Sequence, residues 1–444
     1  MTVTHIHSPN LKYYGVRNFD TLPQLSRFSK SDIEEMRAVA QVFPFRTNPY
    51  VVENLIDWDR APDDPIFRLN FPHRDMLKPR ELGMVADLLA RGAPKKEIRW
   101  HVGGILRRLN PHPAGQKEHN VPRLNQRLVP GIQHKYRETV LVFPPAGQSC
   151  HAYCSFCFRW PQFVSVSDWK FSAEDMDAAL EYIRQKKDIT DILITGGDPM
   201  VMPARLLARR VEPFLGPGFE HVQNIRIGTK SLSYWPFRYL TDPDADDMIR
   251  LFEKIVQKNK HLAIMAHFSH WKELDTPFVR RAIGRIRSAG AEIRTQSPLI
   301  RHVNDSPGVW SRMWRMQVGL GCVPYYMFVS RETGAQDYFE VPLARCLDVF
   351  QKAIRNVSGL GRTVRGPVMS ALPGKILVDG EAEIGGEKVF VLSFLQGRNP
   401  DWQGRPFFAR RCDKAAWISG LKPAFGEKSF FYEKELEEIL SSIV

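Results

Sequence analysis

Cysteine is scarce in this chain, with six residues in 444. That scarcity excludes a small disulfide-stapled scaffold. No apolar run approaches the roughly 20 residues needed to cross a bilayer. The opening residues, MTVTHIHSPNLKYYG, lack the apolar stretch of a secretory signal. These absences predict a cytoplasmic protein with no membrane partner. Low-complexity tracts are missing, and nothing repeats beyond an alternation of strand and helix patterns. Acidic residues run short too: 49 Asp and Glu against 62 Lys and Arg leave a formal charge of +13. Ten of the basic residues fall between Lys95 and Arg137, opposed by Glu97 and Glu118. No nucleic-acid-binding motif accompanies them, so a nucleic-acid partner is the lesser expectation. The greater is a solvated basic surface, or arginines gathered around small anionic cofactors.

What the chain does contain is a rhythm. Six β-rich runs, at 139–145, 191–197, 224–230, 261–268, 291–299 and 323–330, alternate with amphipathic helical segments. Ser172 is placed to cap a helix carrying Met176, Ala179, Leu180 and Ile183 on one face. Met248, Leu251, Phe252, Ile255 and Val256 form a second stripe, and Phe278, Ala282 and Ile286 a third. Such alternation predicts an α/β fold with a parallel sheet, doubly wound or curled into a barrel, with its chemistry at the carboxyl ends of the strands. Three regions are expected: a mainly helical 1–125, a βα core at 126–375 and a mixed extension at 376–444 ending in a helix.

Half of the cysteines sit in one loop just past the first strand. QSCHAYCSFCFRW places Cys150, Cys154 and Cys157 within eight residues. Soft thiolates suit zinc or iron–sulfur clusters. A closed zinc site needs a fourth ligand, for which His151 or His134 is available, yet the spacing lacks the paired halves of a zinc ribbon. A [4Fe–4S] cluster takes one thiolate per iron. Three thiolates leave one iron with an open position for a substrate or cofactor. Cys322, Cys346 and Cys412 are scattered and read as packing residues.

The C-x3-C-x2-C spacing on the first loop of a βα barrel resembles the radical S-adenosylmethionine (SAM) enzymes. GGDP, Gly196 to Pro199, closes the second strand, where that family carries its GGE-type motif. The resemblance implies a partial (β/α)6 barrel and a [4Fe–4S] cluster on Cys150, Cys154 and Cys157. The free iron then binds SAM, which an electron cleaves to a 5′-deoxyadenosyl radical. An external donor of flavodoxin or ferredoxin type is implied, and a homo-oligomer is compatible. Gly196, Gly197 and Asp198 match the loop beside SAM, and His267 and Gln296 match positions facing it. NPYVVENLID, HKYRETVLVF, RIGTK, AHFSH, QSPLIRHVND, PYYMF and VRGPVMSALPGKILVDG follow in the order found in lysine 2,3-aminomutase and its relatives. That branch implies pyridoxal 5′-phosphate (PLP) and a 1,2-amino migration on an amino acid as small-molecule substrate. Within it, Lys388 matches the cofactor lysine, with Lys375 as runner-up. Lys135 and Tyr136 match PLP contacts, Tyr326 can flank the ring, and Arg159 matches the arginine holding the substrate carboxylate.

The pattern also breaks. Of two aspartates that grip the ammonium of lysine in that family, Asp379 matches one, while Arg331 stands in place of the other. An arginine there repels an ammonium and attracts a carboxylate, or pairs with Asp379. Lys135 and Thr139 replace two phosphate-anchoring arginines. The glycine run before Lys388 is eroded, and the C-terminal cysteines that bind zinc in that family are missing, so no zinc is expected. Two alternatives therefore stay open: a PLP-independent radical SAM enzyme on the same scaffold, and a radical SAM modifier of a protein or RNA.

Overall fold

The computed structural model describes residues 10–110, 119–164 and 170–443. Glu118, counted above with the basic region, lies outside the described residues. The core is one eleven-stranded sheet whose strands lie side by side in chain order. They are β1 (Ile132–Tyr136), β2 (Thr139–Val142), β3 (Asp191–Ile194), β4 (Asn224–Thr229), β5 (His261–His267), β6 (Glu292–Leu299), β7 (Val323–Val329), β8 (Arg365–Ser370), β9 (Gly374–Ile384), β10 (Glu387–Gly397) and β11 (Phe407–Arg410). Strands β2 to β8 are mutually parallel. β1 pairs antiparallel with β2, and β9 to β11 form an antiparallel meander continuing from β8. Helices occupy each crossover from β2 to β8, the arrangement that parallel pairing requires.

The six β-rich runs correspond to β2 to β7. On β6, buried and half-buried residues alternate, so Ile293, Thr295 and Ser297 are buried while Glu292, Arg294 and Gln296 are half-buried on the opposite face. The helix at Met176–Gln185 buries Ala179 and Ile183, that at Ala245–Gln257 buries Met248, Leu251, Phe252 and Ile255, and that at Pro277–Ser288 buries Ala282 and Ile286. One cap differs from expectation. Ser172 bonds Glu174, and Asp175 caps the first of these helices by accepting from the Ala178 N–H at 3.0 Å. Asp175 adjoins the first helical residue, whereas Ser172 is too far upstream to reach the free amides.

The sheet curls until its ends approach. Lys135 on β1 donates to the Ala371 carbonyl between β8 and β9. Arg398, just past β10, donates to the His119 carbonyl at 3.2 Å and to the Asn120 side chain. Side chains rather than a backbone ladder bridge this seam, so the fold is a partial barrel with a helical lead-in and a mixed extension. The lead-in contributes helices at Lys30–Val42, Pro79–Ala90 and Lys95–Leu109. The extension is anchored by a cluster of Phe394, Trp402, Phe407 and Tyr432, and Trp402 donates to Glu435 of the final helix at 2.6 Å. No helix among the described residues is long and apolar enough to cross a membrane.

Candidate active site

The cysteine loop follows β2, and the lead-in region holds it. The Tyr153 N–H donates to the Arg46 carbonyl at 2.9 Å, and the Ser155 N–H to the Leu69 carbonyl at 2.9 Å. Arg46 returns a bond to the Cys150 carbonyl at 3.2 Å, and its guanidinium lies between the Tyr13 and Tyr153 rings. Asn48 donates to the carbonyls of His151 and Tyr234, each at 3.0 Å. A backbone turn, Cys157 N–H to Cys154 C=O at 3.1 Å, sets the spacing of the last two thiols.

Burial raises all three thiol pKa values. Cys150 rises well above the ordinary value, with Asp198 and the other two thiols adding to the effect; Cys154 is pushed up to about 12 and Cys157 to about 11. Three thiols that oppose one another's ionisation are a donor set that a polycation relieves. Among the described residues, no three Cys, His, Asp or Glu side chains converge on one point as a single metal ion requires. A cubane instead takes each thiolate on a separate iron.

The GGDP loop packs directly against this segment. A Cβ on Gly197 would lie 2.6 Å from the Ser149 carbonyl oxygen and 2.7 Å from its nitrogen, and one on Gly196 would meet the Gln148 side chain at 2.4 Å. Only glycine permits that approach. Gly197→Ala is therefore expected to cost about 1–3 kcal/mol through overpacking, read as a lowered thermal midpoint, because the clash is with backbone. Asp198 serves the frame. Its buried carboxylate accepts from the Met200 N–H at 2.9 Å, the Thr229 hydroxyl at 2.7 Å and the Lys230 N–H at 2.9 Å, tying the ends of β3 and β4 together. Burial nonetheless lifts its pKa to about 6.

His267 closes β5 with its ring stacked on Phe156, 5.8 Å between centroids. Burial holds it neutral, and its Nδ1 is buried with no hydrogen-bond partner among the described residues. Gln296 lies opposite His267 on one side and Tyr326 on the other. An orphaned imidazole nitrogen beside the cysteine loop fits a polar cofactor such as SAM.

A second group lies inside the barrel. The Lys375 ammonium position is 4.7 Å from the Tyr136 ring and 5.5 Å from the Tyr326 ring, and it bonds Gln396. Burial lowers its pKa to about 7, with Arg226 adding to the shift and Asp191 opposing it. The Tyr136 hydroxyl is buried with no partner among the described residues. Lys135 lies over the same ring at 5.3 Å, and its pKa is driven well down by burial and by Arg398, Arg331 and Lys375. Arg159 lies 4.6 Å from the Phe143 ring and 5.1 Å from that of Phe158; Arg331 lies 4.5 Å from Phe158 and donates to the Ser370 hydroxyl at 3.0 Å. Burial lowers Arg159, Arg331 and Arg398 to about 10 each.

Two expected residues are elsewhere. Lys388 is exposed near the tip of the β9–β10 hairpin, opposite Glu383. Lys375 pairs with Gln396, eight residues farther along β10, or about 26 Å at strand rise. A glycine turn at Gly385–Gly386 precedes Lys388 and serves the hairpin. Asp379 is exposed on β9, accepts from Ser393 at 2.6 Å and does not meet Arg331. Conversely, Ser370 and Arg398 join the site without having been singled out from the sequence. Their only signal is the hairpin register that sets Gly374 against Gly397. Thr139 is buried at the start of β2.

The chain has named relatives. The chain is 28% identical over 394 residues to an Aquifex aeolicus protein with a provisional L-lysine 2,3-aminomutase name, covering 89% of this chain and 92% of that one. It is 23% identical over 347 residues to the L-lysine 2,3-aminomutase of Methanococcus maripaludis, covering 78% and 69%. To that of Fusobacterium nucleatum it is 27% identical over 231 residues, about half of each chain. A solved radical SAM methyltransferase from Sphaerobacter thermophilus superposes at TM-score 0.35 with 17% identity, over 64% of this chain and 92% of that one. No family model matches. Over most of its length the chain is similar to proteins that carry L-lysine 2,3-aminomutase names.

Proposed function

We propose that the protein is a PLP-dependent aminomutase that moves an amino group between adjacent carbons of an amino acid, with Lys375 as the cofactor lysine. The observation that carries this reading is the amine of Lys375, held between two tyrosine rings with its pKa lowered to about 7. An amine must be unprotonated to attack an aldehyde, and burial is the usual means of achieving that near neutral pH. When bound, the cluster and SAM supply the radical that removes a substrate hydrogen, and PLP supplies the conjugated system that lets nitrogen migrate.

The chain's own residues bind and orient. Cys150, Cys154 and Cys157 would hold three corners of the cluster. Gly196 and Gly197 bring backbone against the cysteine loop, and His267 and Gln296 would face SAM. Tyr136 and Tyr326 would sandwich the PLP ring. Lys135 and Arg398, drawn together at the seam from opposite ends of the sheet, would take its phosphate, for which cationic donors are suited. Arg159, beside the cysteine loop, would take the substrate carboxylate. Deep placement of these groups keeps water from a reactive intermediate.

Borohydride reduction of PLP-loaded protein, followed by peptide mass spectrometry, tests the assignment. The adduct is expected on the Lys375 peptide; an adduct on Lys388, or none, would overturn it. Trapping is expected to rise as pH passes upward through about 7, because the neutral amine is the population above the pKa of Lys375. A yield that is flat from pH 6 to 8 would deny that the environment tunes this lysine.

A further inference from the structure

We infer that the substrate is a dicarboxylic amino acid, whose distal carboxylate is held by Arg331 and whose α-carboxylate is held by Arg159. The inference rests on the reading of this site as an amino-acid site and names the class of amino acid.

Charge balance is the starting point. Lys135, Arg159, Arg331 and Arg398 gather in one part of the barrel, and none of them has a salt bridge among the described residues. No carboxylate is among the charged neighbours that shift these four groups. Four cationic side chains brought together with no carboxylate among them, and with only the Cys150 and Cys157 thiols able to turn anionic beside Arg159, are costly to bury and call for anions from outside the chain. A PLP phosphate carries up to two negative charges and would be held by Lys135 and Arg398 at the seam. An α-carboxylate matches one more cation at Arg159. Arg331 is then left over, and a monocarboxylic substrate leaves it unneutralised.

Geometry then decides what Arg331 can accept. Its guanidinium is braced on the Phe158 ring, and one amino group is fixed by the Ser370 hydroxyl. That leaves the rest of its donor fork, the arrangement that matches a carboxylate bidentately. Asp379 faces Ser393 elsewhere and does not neutralise it. Arg159 rests against the same Phe158 ring, so the two guanidinium carbons are at most roughly 10 Å apart. Two carboxylates held from one ring in bidentate fashion are separated by a few bonds, as in a four- or five-carbon amino acid. A free lysine fails twice at this place. Its ammonium would face an arginine, and it would find no acidic partner there.

Equilibrium calorimetry on the anaerobically reconstituted, PLP-loaded protein tests this without turnover. L-glutamate or L-aspartate is expected to bind at least about 30-fold more tightly than L-lysine, the scale of a desolvated charge pair. Glutarate, which has no amino group to engage PLP, is expected to bind the PLP-loaded protein at least about 30-fold more tightly than the monocarboxylate valerate. In Arg331→Met the glutarate preference is expected to vanish while PLP retention stays at the wild-type level. Equal binding of lysine and glutamate would overturn the inference, as would equal binding of glutarate and valerate. A variant that loses PLP but keeps its glutarate preference would also do so, because Arg331 would then be a phosphate ligand. The glutarate-against-valerate comparison needs no variant, so misfolding of Arg331→Met leaves the test intact. Failure of the cofactor reading shows up separately, as the missing borohydride adduct on Lys375. Selective glutarate binding in that case retains the clamp and discards the lysine assignment.

Discussion

Cys154→Ala is expected to abolish SAM cleavage by dithionite-reduced protein, with 5′-deoxyadenosine falling to the level of an enzyme-free control. The effect is large because each thiolate of a cubane binds a different iron, so neighbouring thiols do not substitute for one another. The Cys154 thiol lies 3.7 Å from the Tyr234 hydroxyl. Loss of brown colour and of inorganic sulfide should accompany the loss of cleavage. Cleavage retained at the wild-type rate would remove the cluster assignment, and with it the account of the loop. Cys346→Ala is the control: its thiol is buried behind the helical layer and bonds the Val341 carbonyl, so iron content should stay unchanged.

Lys375→Ala is expected to reduce amino migration by at least about 1000-fold while leaving SAM cleavage intact. A nucleophilic amine has no stand-in here. Lys135 is close, but its amine is turned to the Ala371 carbonyl at the seam, where the proposed reading gives it the phosphate. Lys388→Ala should change neither reaction, since that side chain is exposed at the hairpin tip. The measurement is product formation beside 5′-deoxyadenosine formation in one anaerobic assay. A Lys375 variant that still isomerises, or a Lys388 variant that does not, would reverse the assignment. Splitting the two outputs also separates a chemical role from simple unfolding, which would remove both.

The strands were legible because β-branched and aromatic runs of seven to nine residues, broken by Gly, Pro and Asp, carry their own periodicity. Cysteine spacing was legible because it is local. The lysine was not. A glycine pair before Lys388 and a single glycine before Lys375 look alike in one dimension, and the hairpin register alone shows that the first makes a turn and the second a close approach. At Gly374 a Cβ would lie 2.2 Å from the Gln396 carbonyl oxygen. Arg398 was invisible for a related reason: it reaches the barrel through a strand pairing in the tail, and nothing in its neighbours' chemistry marks it. Ser370 was overlooked because Asp379, an acidic residue in a family-like segment, drew the assignment away from a hydroxyl nine positions earlier.

The clasp between Arg46–Asn48, Leu69 and the cysteine loop has a consequence for maturation. The three thiols of the loop are oriented by backbone made about a hundred residues earlier, so the proposed iron-binding socket is assembled from both sides of the first strand pair. A fragment beginning at residue 126 contains every thiol yet lacks their scaffold. It should take up far less iron than the full chain, whereas one beginning near residue 10 should fill normally.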